Sequence, residues 1–182
     1  MKIGLVRHFK VDCRKYKRMS SSDYNKWVET YDISPVIENP VDLRGVQWSK
    51  CYASDLPRAV TTAETILKAN NLDLDIIKTE FLREIPASAA FRTSYKFSHN
   101  FWSISSRVAW LISHKSQPER RTDTLNRVKK ILDEVEKESD KDTLLVCHAM
   151  IIQTLQQELK RRGFKGKYIR FAKNGQLCVW EK

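Results

Sequence analysis

Arg7 and His8 stand side by side immediately after the apolar run Ile3 to Val6, and a second histidine, His148, follows the run Leu144 to Cys147 in the same way. Between them, Ser54-Asp55-Leu56-Pro57-Arg58 brings a guanidinium just past a third short apolar stretch. A neutral imidazole can attack phosphorus, and arginines offer planar, permanently charged forks that match phosphate oxygens. Two histidines and two arginines converging on one crevice therefore read as a phosphoryl-transfer site with histidine as nucleophile. Convergence requires the apolar runs to be neighbouring strands of an open sheet, because ligands of such sheets bind outside the carboxyl ends of the strands.

The rest of the chain supplies that scaffold. Lys2 to Val6, Cys51 to Ser54, Leu74 to Ile77 and Thr143 to Cys147 read as strands, the first and last as continuous apolar runs of the buried, parallel kind. Helices are expected from Ser21 or Ser22 through Glu29, from Pro57 to the Asn70-Asn71 stop, from Thr122 or Asp123 to Glu138, and from Met150 to Arg162 with Gly163 as the C-cap. Tyr168 to Phe171 and Gln176 to Trp180 are expected to form a final hairpin around Asn174-Gly175. Alternating strands and helices predict a three-layer α/β fold, a mostly parallel central sheet with helices on both faces. The aromatic stretch 86–120 is the least regular; it reads as an inserted lid with a helix near Trp102 to Ile112.

With 182 residues and 41% hydrophobic content, one domain spanning 1–182 is expected. Lys and Arg number 33 against 22 Asp and Glu, a formal net charge of +11, which favours phosphate-bearing partners without choosing among them. Cys13, Cys51, Cys147 and Cys178 are widely spaced, with no C-x-x-C pair and no metal-ligand pattern. Cys51 and Cys147 are expected as free core thiols of a reducing, cytoplasmic chain. No signal-peptide stretch is evident, and Phe101 to Ile112 is interrupted by Ser105, Ser106 and Arg107, so no membrane partner is expected.

Four ordered segments carry a family resemblance: Leu5-Val6-Arg7-His8; Tyr52 to Ala59 leading into Thr61-Thr62-Ala63-Glu64; Leu82-Arg83-Glu84; and Leu145-Val146-Cys147-His148-Ala149. The chain resembles the histidine phosphatase superfamily, the phosphoglycerate mutase-like fold. The resemblance implies a metal-independent, cofactor-free phosphomonoester hydrolase. In it His8 is the nucleophile, Arg7, Arg58 and His148 bind phosphate oxygens, the Ala149 N–H faces the anion, and Glu84 protonates the leaving oxygen and then activates water. The chain departs from the family pattern where Phe9 and Lys10 replace a glycine and a small or acidic residue. Arg14 stands where many members carry an asparagine near the phosphate, which makes it a candidate extra clamp.

Two alternatives share this scaffold. One is a phosphoglycerate mutase-like phosphotransferase, disfavoured by the short chain; the other is a basic module that binds phosphate or nucleic acid, disfavoured because the catalytic set is complete. A cysteine phosphatase is disfavoured because no Cys-x5-Arg loop exists. A small phosphorylated substrate is the expected partner, with nucleic acid disfavoured and oligomeric state open. The basic loop Lys10 to Arg18 and the aromatic segment are expected to set substrate choice.

Overall fold

The apolar runs do form the centre of a sheet. The computed structural model describes residues 1–182. Its first half holds β1 (Lys2–Arg7), β2 (Lys10–Val11), β3 (Arg18–Met19), α1 (Ser21–Ile33), β4 (Val36–Ile37), β5 (Lys50–Ser54), α2 (Pro57–Ala69) and β6 (Ile76–Thr79). After a 3-10 turn at Glu80–Leu82 come β7 (Phe97–Ser98), α3 (His99–Leu111), α4 (Arg121–Glu136), β8 (Thr143–Cys147), α5 (Ala149–Arg161), β9 (Lys165–Gly166) and β10 (Leu177–Glu181).

Six strands make one sheet in the order β6-β5-β8-β1-β10-β9. β6, β5, β8 and β1 run parallel, and β10 and β9 close the edge antiparallel. Alternate strand residues serve opposite faces, and helices cover both to give three layers. Ile3, Leu5, Leu145, Cys147 and Trp180 pack with Val128, Ile131 and Leu132 of α4 and Ile151, Ile152 and Leu155 of α5. Val6, Cys51, Ala53, Leu144 and Val146 pack on the other face with Ala59, Ala63 and Ile66 of α2. Each larger aliphatic side chain contributes about 1.5–3 kcal/mol on burial, so the two faces together anchor the strand ends that carry the histidines. Gly4 in β1 admits the Trp48 ring; a Cβ there would stand 2.5 Å from the indole.

A third cluster, Met19, Tyr24, Trp27, Ala89 and Trp102, joins α1 to the aromatic segment. Trp102 stacks on Tyr24 at 5.8 Å and donates its indole N–H to Met19 O at 2.8 Å. The β3–β7 ribbon fastens the same segment to the loop that follows the first histidine. Residues 86–120 thus hold one complete helix, α3, which begins at His99 rather than near Trp102.

Other boundaries also differ from expectation, among them the end of α4 at Glu136 rather than Glu138. The third strand is Ile76–Thr79, two residues later than its apolar run. α1 continues past Glu29 to Ile33. The final hairpin takes a different partner: β10 pairs with Lys165–Gly166, in the register Trp180↔Gly166, and Tyr168 to Phe171 is not a strand. That segment's backbone bonds are taken by α5 side chains. Gln153 Nε2 donates to Arg170 O, and Gln156 both donates to Ile169 O and accepts from Ile169 N.

Candidate active site

β1 and β8 are adjacent and parallel with Arg7 opposite Cys147, so the next residue of each, His8 and His148, leaves the sheet beside the other. Their ring centroids are 5.0 Å apart. His8 N donates to Cys147 O at 2.9 Å, which carries the ladder one residue past the strand. Asn174 Nδ2 donates to His8 O, Phe9 N donates to Thr62 Oγ1, and the Thr62 hydroxyl donates to Arg58 O at 2.6 Å. The Phe9 side chain is buried against the α2 face of the sheet. The chain around His8 is therefore fixed by β8, by α2 and by the loop before β10.

Hydrogen bonds set the tautomers of both imidazoles. His8 Nδ1 lies 2.6 Å from Phe9 O, and a carbonyl only accepts, so Nδ1 carries the proton and Nε2 keeps its lone pair. His148 Nδ1 instead accepts from Arg58 Nε at 3.3 Å, which puts the proton on His148 Nε2. Burial, reinforced by Arg58 and Arg7, lowers the His8 pKa to about 3. Burial, with His8 and Arg58 next, also holds His148 well below the usual imidazole range. Both rings are neutral at physiological pH.

Two of the donors in this cluster have no acceptor. His148 Nε2 and Arg7 Nε are buried and unpartnered, although Arg7 Nη1 donates to Ala172 O at 2.8 Å. An unmet buried donor costs roughly 1–3 kcal/mol, and native proteins pair about nine in ten or more of them. Unmet donors on the two residues that flank the His8 ring suit an anion with several oxygens.

Arg58, only 3% exposed, lies in the first turn of α2, where the helix dipole disfavours a cation. Its Nη1 donates to Asp32 Oδ1 at 2.8 Å, and the Tyr31 ring lies 5.3 Å from its guanidinium carbon. Burial raises the Tyr31 phenol, which therefore stays protonated. Sequence reasoning misses Tyr31 and Asp32, because the extra turn of α1 that carries them has no apolar period to mark it.

Glu84 follows the 3-10 turn and accepts from Ile85 N at 3.0 Å and Met150 N at 3.4 Å. Its loop is fixed by Arg127, which donates to Phe81 O and Arg83 O while pairing with Glu119, and by the Arg83–Asp55 pair. α5 begins at Ala149 with His148 in the cap position, so the Ala149 amide is one of the first-turn donors a helix leaves unpaired. Arg14 is exposed and lies over the Tyr16 ring at 5.8 Å, with its backbone carbonyl accepting from Trp27 Nε1. No hydrogen bond joins its guanidinium to the two histidines. No three His, Cys, Asp or Glu side chains converge at metal-ligand spacing.

A sequence model of the histidine phosphatase superfamily (branch 1) matches residues 40–181. The chain belongs to this superfamily. The match begins after Arg7-His8 and after α1, and solved structures extend the likeness in fold over the whole chain. A phosphoglycerate mutase from Bacillus anthracis str. Sterne is 19% identical with a TM-score of 0.64, covering 100% of this chain and 88% of that one. Bacillus stearothermophilus YhfR is 16% identical at 0.60, covering 98% and 89%. A mycobacterial glucosyl-3-phosphoglycerate phosphatase is 18% identical at 0.59, covering 98% and 88%. No curated protein sequence matches the chain. No helix is long and apolar enough to cross a membrane.

Proposed function

We propose that the chain hydrolyses phosphomonoesters through a phosphohistidine on His8. The observation that carries the proposal is the juxtaposition of the buried His8 ring, whose Nε2 keeps its lone pair, with two unpartnered donors, His148 Nε2 and Arg7 Nε. In this reading His8 Nε2 gives its electron pair to phosphorus as the ester P–O bond breaks. The leaving oxygen takes that bond's pair and a proton from Glu84. Arg7, Arg58 and His148 hold the equatorial oxygens, and the Ala149 amide adds a donor from the start of α5. Glu84, now a carboxylate, removes a proton from water as that water attacks phosphorus; the P–N bond breaks and its pair returns to His8.

Arg14 has no part in this mechanism. Hydrolysis is preferred to mutase-type transfer because water needs no second substrate-binding surface, and Lys10 to Arg18 with residues 86–120 remain the segments proposed to choose the leaving group. The test is release of inorganic phosphate from a panel of phosphorylated small molecules and phosphopeptides. Turnover by the wild type and its loss in His8→Ala are expected. Equal turnover in His8→Ala would reject the mechanism.

A further inference from the structure

Beside Arg58 stands a carboxylate that the proposed mechanism does not use. Asp32 lies in the last turn of α1, outside the part of the chain that the superfamily model matches. Its carboxylate pairs with Arg58 at 2.8 Å, and the two differ in their access to water: the Arg58 side chain is 3% exposed and that of Asp32 44% exposed. Asp32 also stands at the carboxyl end of a helix that has no basic residue in its last turn, where a negative charge meets the negative end of the dipole. Helix stability does not explain it.

Arg58 has three nitrogens to offer. Nε is engaged by His148 Nδ1 and one N–H of Nη1 by Asp32, which leaves both N–H groups of Nη2 and the second of Nη1 for a ligand. Asp32 thus takes one donor of the guanidinium and stands beside it as a counter-charge, so an arriving phosphate competes with a carboxylate for Arg58. Tyr31, packed against the guanidinium, keeps Arg58 in place when that bond opens.

Resting on the phosphohistidine reading, we propose that Asp32 sets the affinity of the site for phosphate: it occupies Arg58 in the empty pocket, cedes it to the arriving phosphoryl group, and by its charge weakens retention of the phosphate released. Asp32 thus sets affinity rather than specificity: it acts on the phosphate common to ester and product, not on the leaving group. Free inorganic phosphate and other compact oxyanions feel that penalty with no leaving group to offset it, which favours their release.

The test compares wild type, Asp32→Asn and Asp32→Glu by calorimetric titration with inorganic phosphate and by KM and kcat on an aryl phosphate. Asparagine keeps the shape and removes the charge, so phosphate dissociation and inhibition constants should fall about tenfold, with KM falling in parallel. Asp32→Glu, which restores the charge, should return both toward wild type. Phosphate binding that is unchanged in Asp32→Asn would overturn the proposal. Weaker binding with a lost kcat would also overturn it, because Asp32 would then serve only to orient Arg58. Failure of the underlying reading looks different: wild type, His8→Ala and Asp32→Asn would all be inactive and equally unable to bind phosphate, and the proposal would fall with it. Unchanged thermal midpoints identify the variants as folded.

Discussion

Acidification from pH 8 to pH 5 should cost the protein about 2 kcal/mol at His8 alone. In the unfolded chain this imidazole takes up a proton near pH 6.5, whereas burial and the two arginines delay protonation in the native state to about pH 3. Between those values the unfolded state binds more protons, so stability rises with pH. The His8 contribution is complete above about pH 7 and is lost progressively as pH falls toward 3. His148 acts in the same direction. The assay is urea unfolding at pH 8 and pH 5 for wild type and His8→Gln, whose amide can still donate to Phe9 O. Subtracting one protein from the other removes the titration of the carboxylates. The stability advantage of wild type over His8→Gln should shrink by about 2 kcal/mol at the lower pH. An advantage that stays constant within about 0.5 kcal/mol would mean that His8 titrates like a solvent-exposed imidazole, and the buried, neutral nucleophile would be wrong.

Thr62→Val should destabilise by about 1–3 kcal/mol in chemical denaturation and lower kcat, because it strands the Phe9 N–H that fixes the residue after His8. Gly4→Ala should cost about 1–3 kcal/mol, read as a lowered thermal midpoint, since the new methyl meets the Trp48 ring. Glu84→Gln should slow poor leaving groups much more than activated aryl phosphates in steady-state assays; equal losses on both would remove the proton-transfer role. Phosphatase activity should survive exhaustive chelation, and loss with recovery on adding magnesium or zinc would point to a different chemistry.

The parts of the molecule legible in the sequence are those that local pattern decides. Val6 and Cys147 close continuous buried runs, which puts the residues after them at strand ends, and Pro57 marks the helix start that carries Arg58. The fold class follows from the same alternation. What is not legible depends on tertiary placement. Asp32 reaches Arg58 from a helix whose Tyr24 and Trp27 pack with Trp102 of a distant segment. Asn174 reads as a turn residue, yet its side chain donates to His8 O; Ala172 has no polar side chain, yet its carbonyl holds Arg7. The expected hairpin fails for the same reason, since Gln153 and Gln156 take the backbone bonds that a strand at Tyr168 to Phe171 would use. Arg14, which an ungapped register puts near the phosphate, lies exposed over Tyr16 in a stretch bounded by the β2–β4 and β3–β7 ribbons.

The covalent step is open to direct observation by rapid acid-free quenching of turnover, followed by mass spectrometry of the His8 peptide. A phosphoryl adduct should appear on His8 within the first turnover, stable in base and lost in acid, and should be absent from His8→Ala. A protein that releases phosphate with no adduct on His8, or with an adduct on another residue, would contradict histidine as the nucleophile.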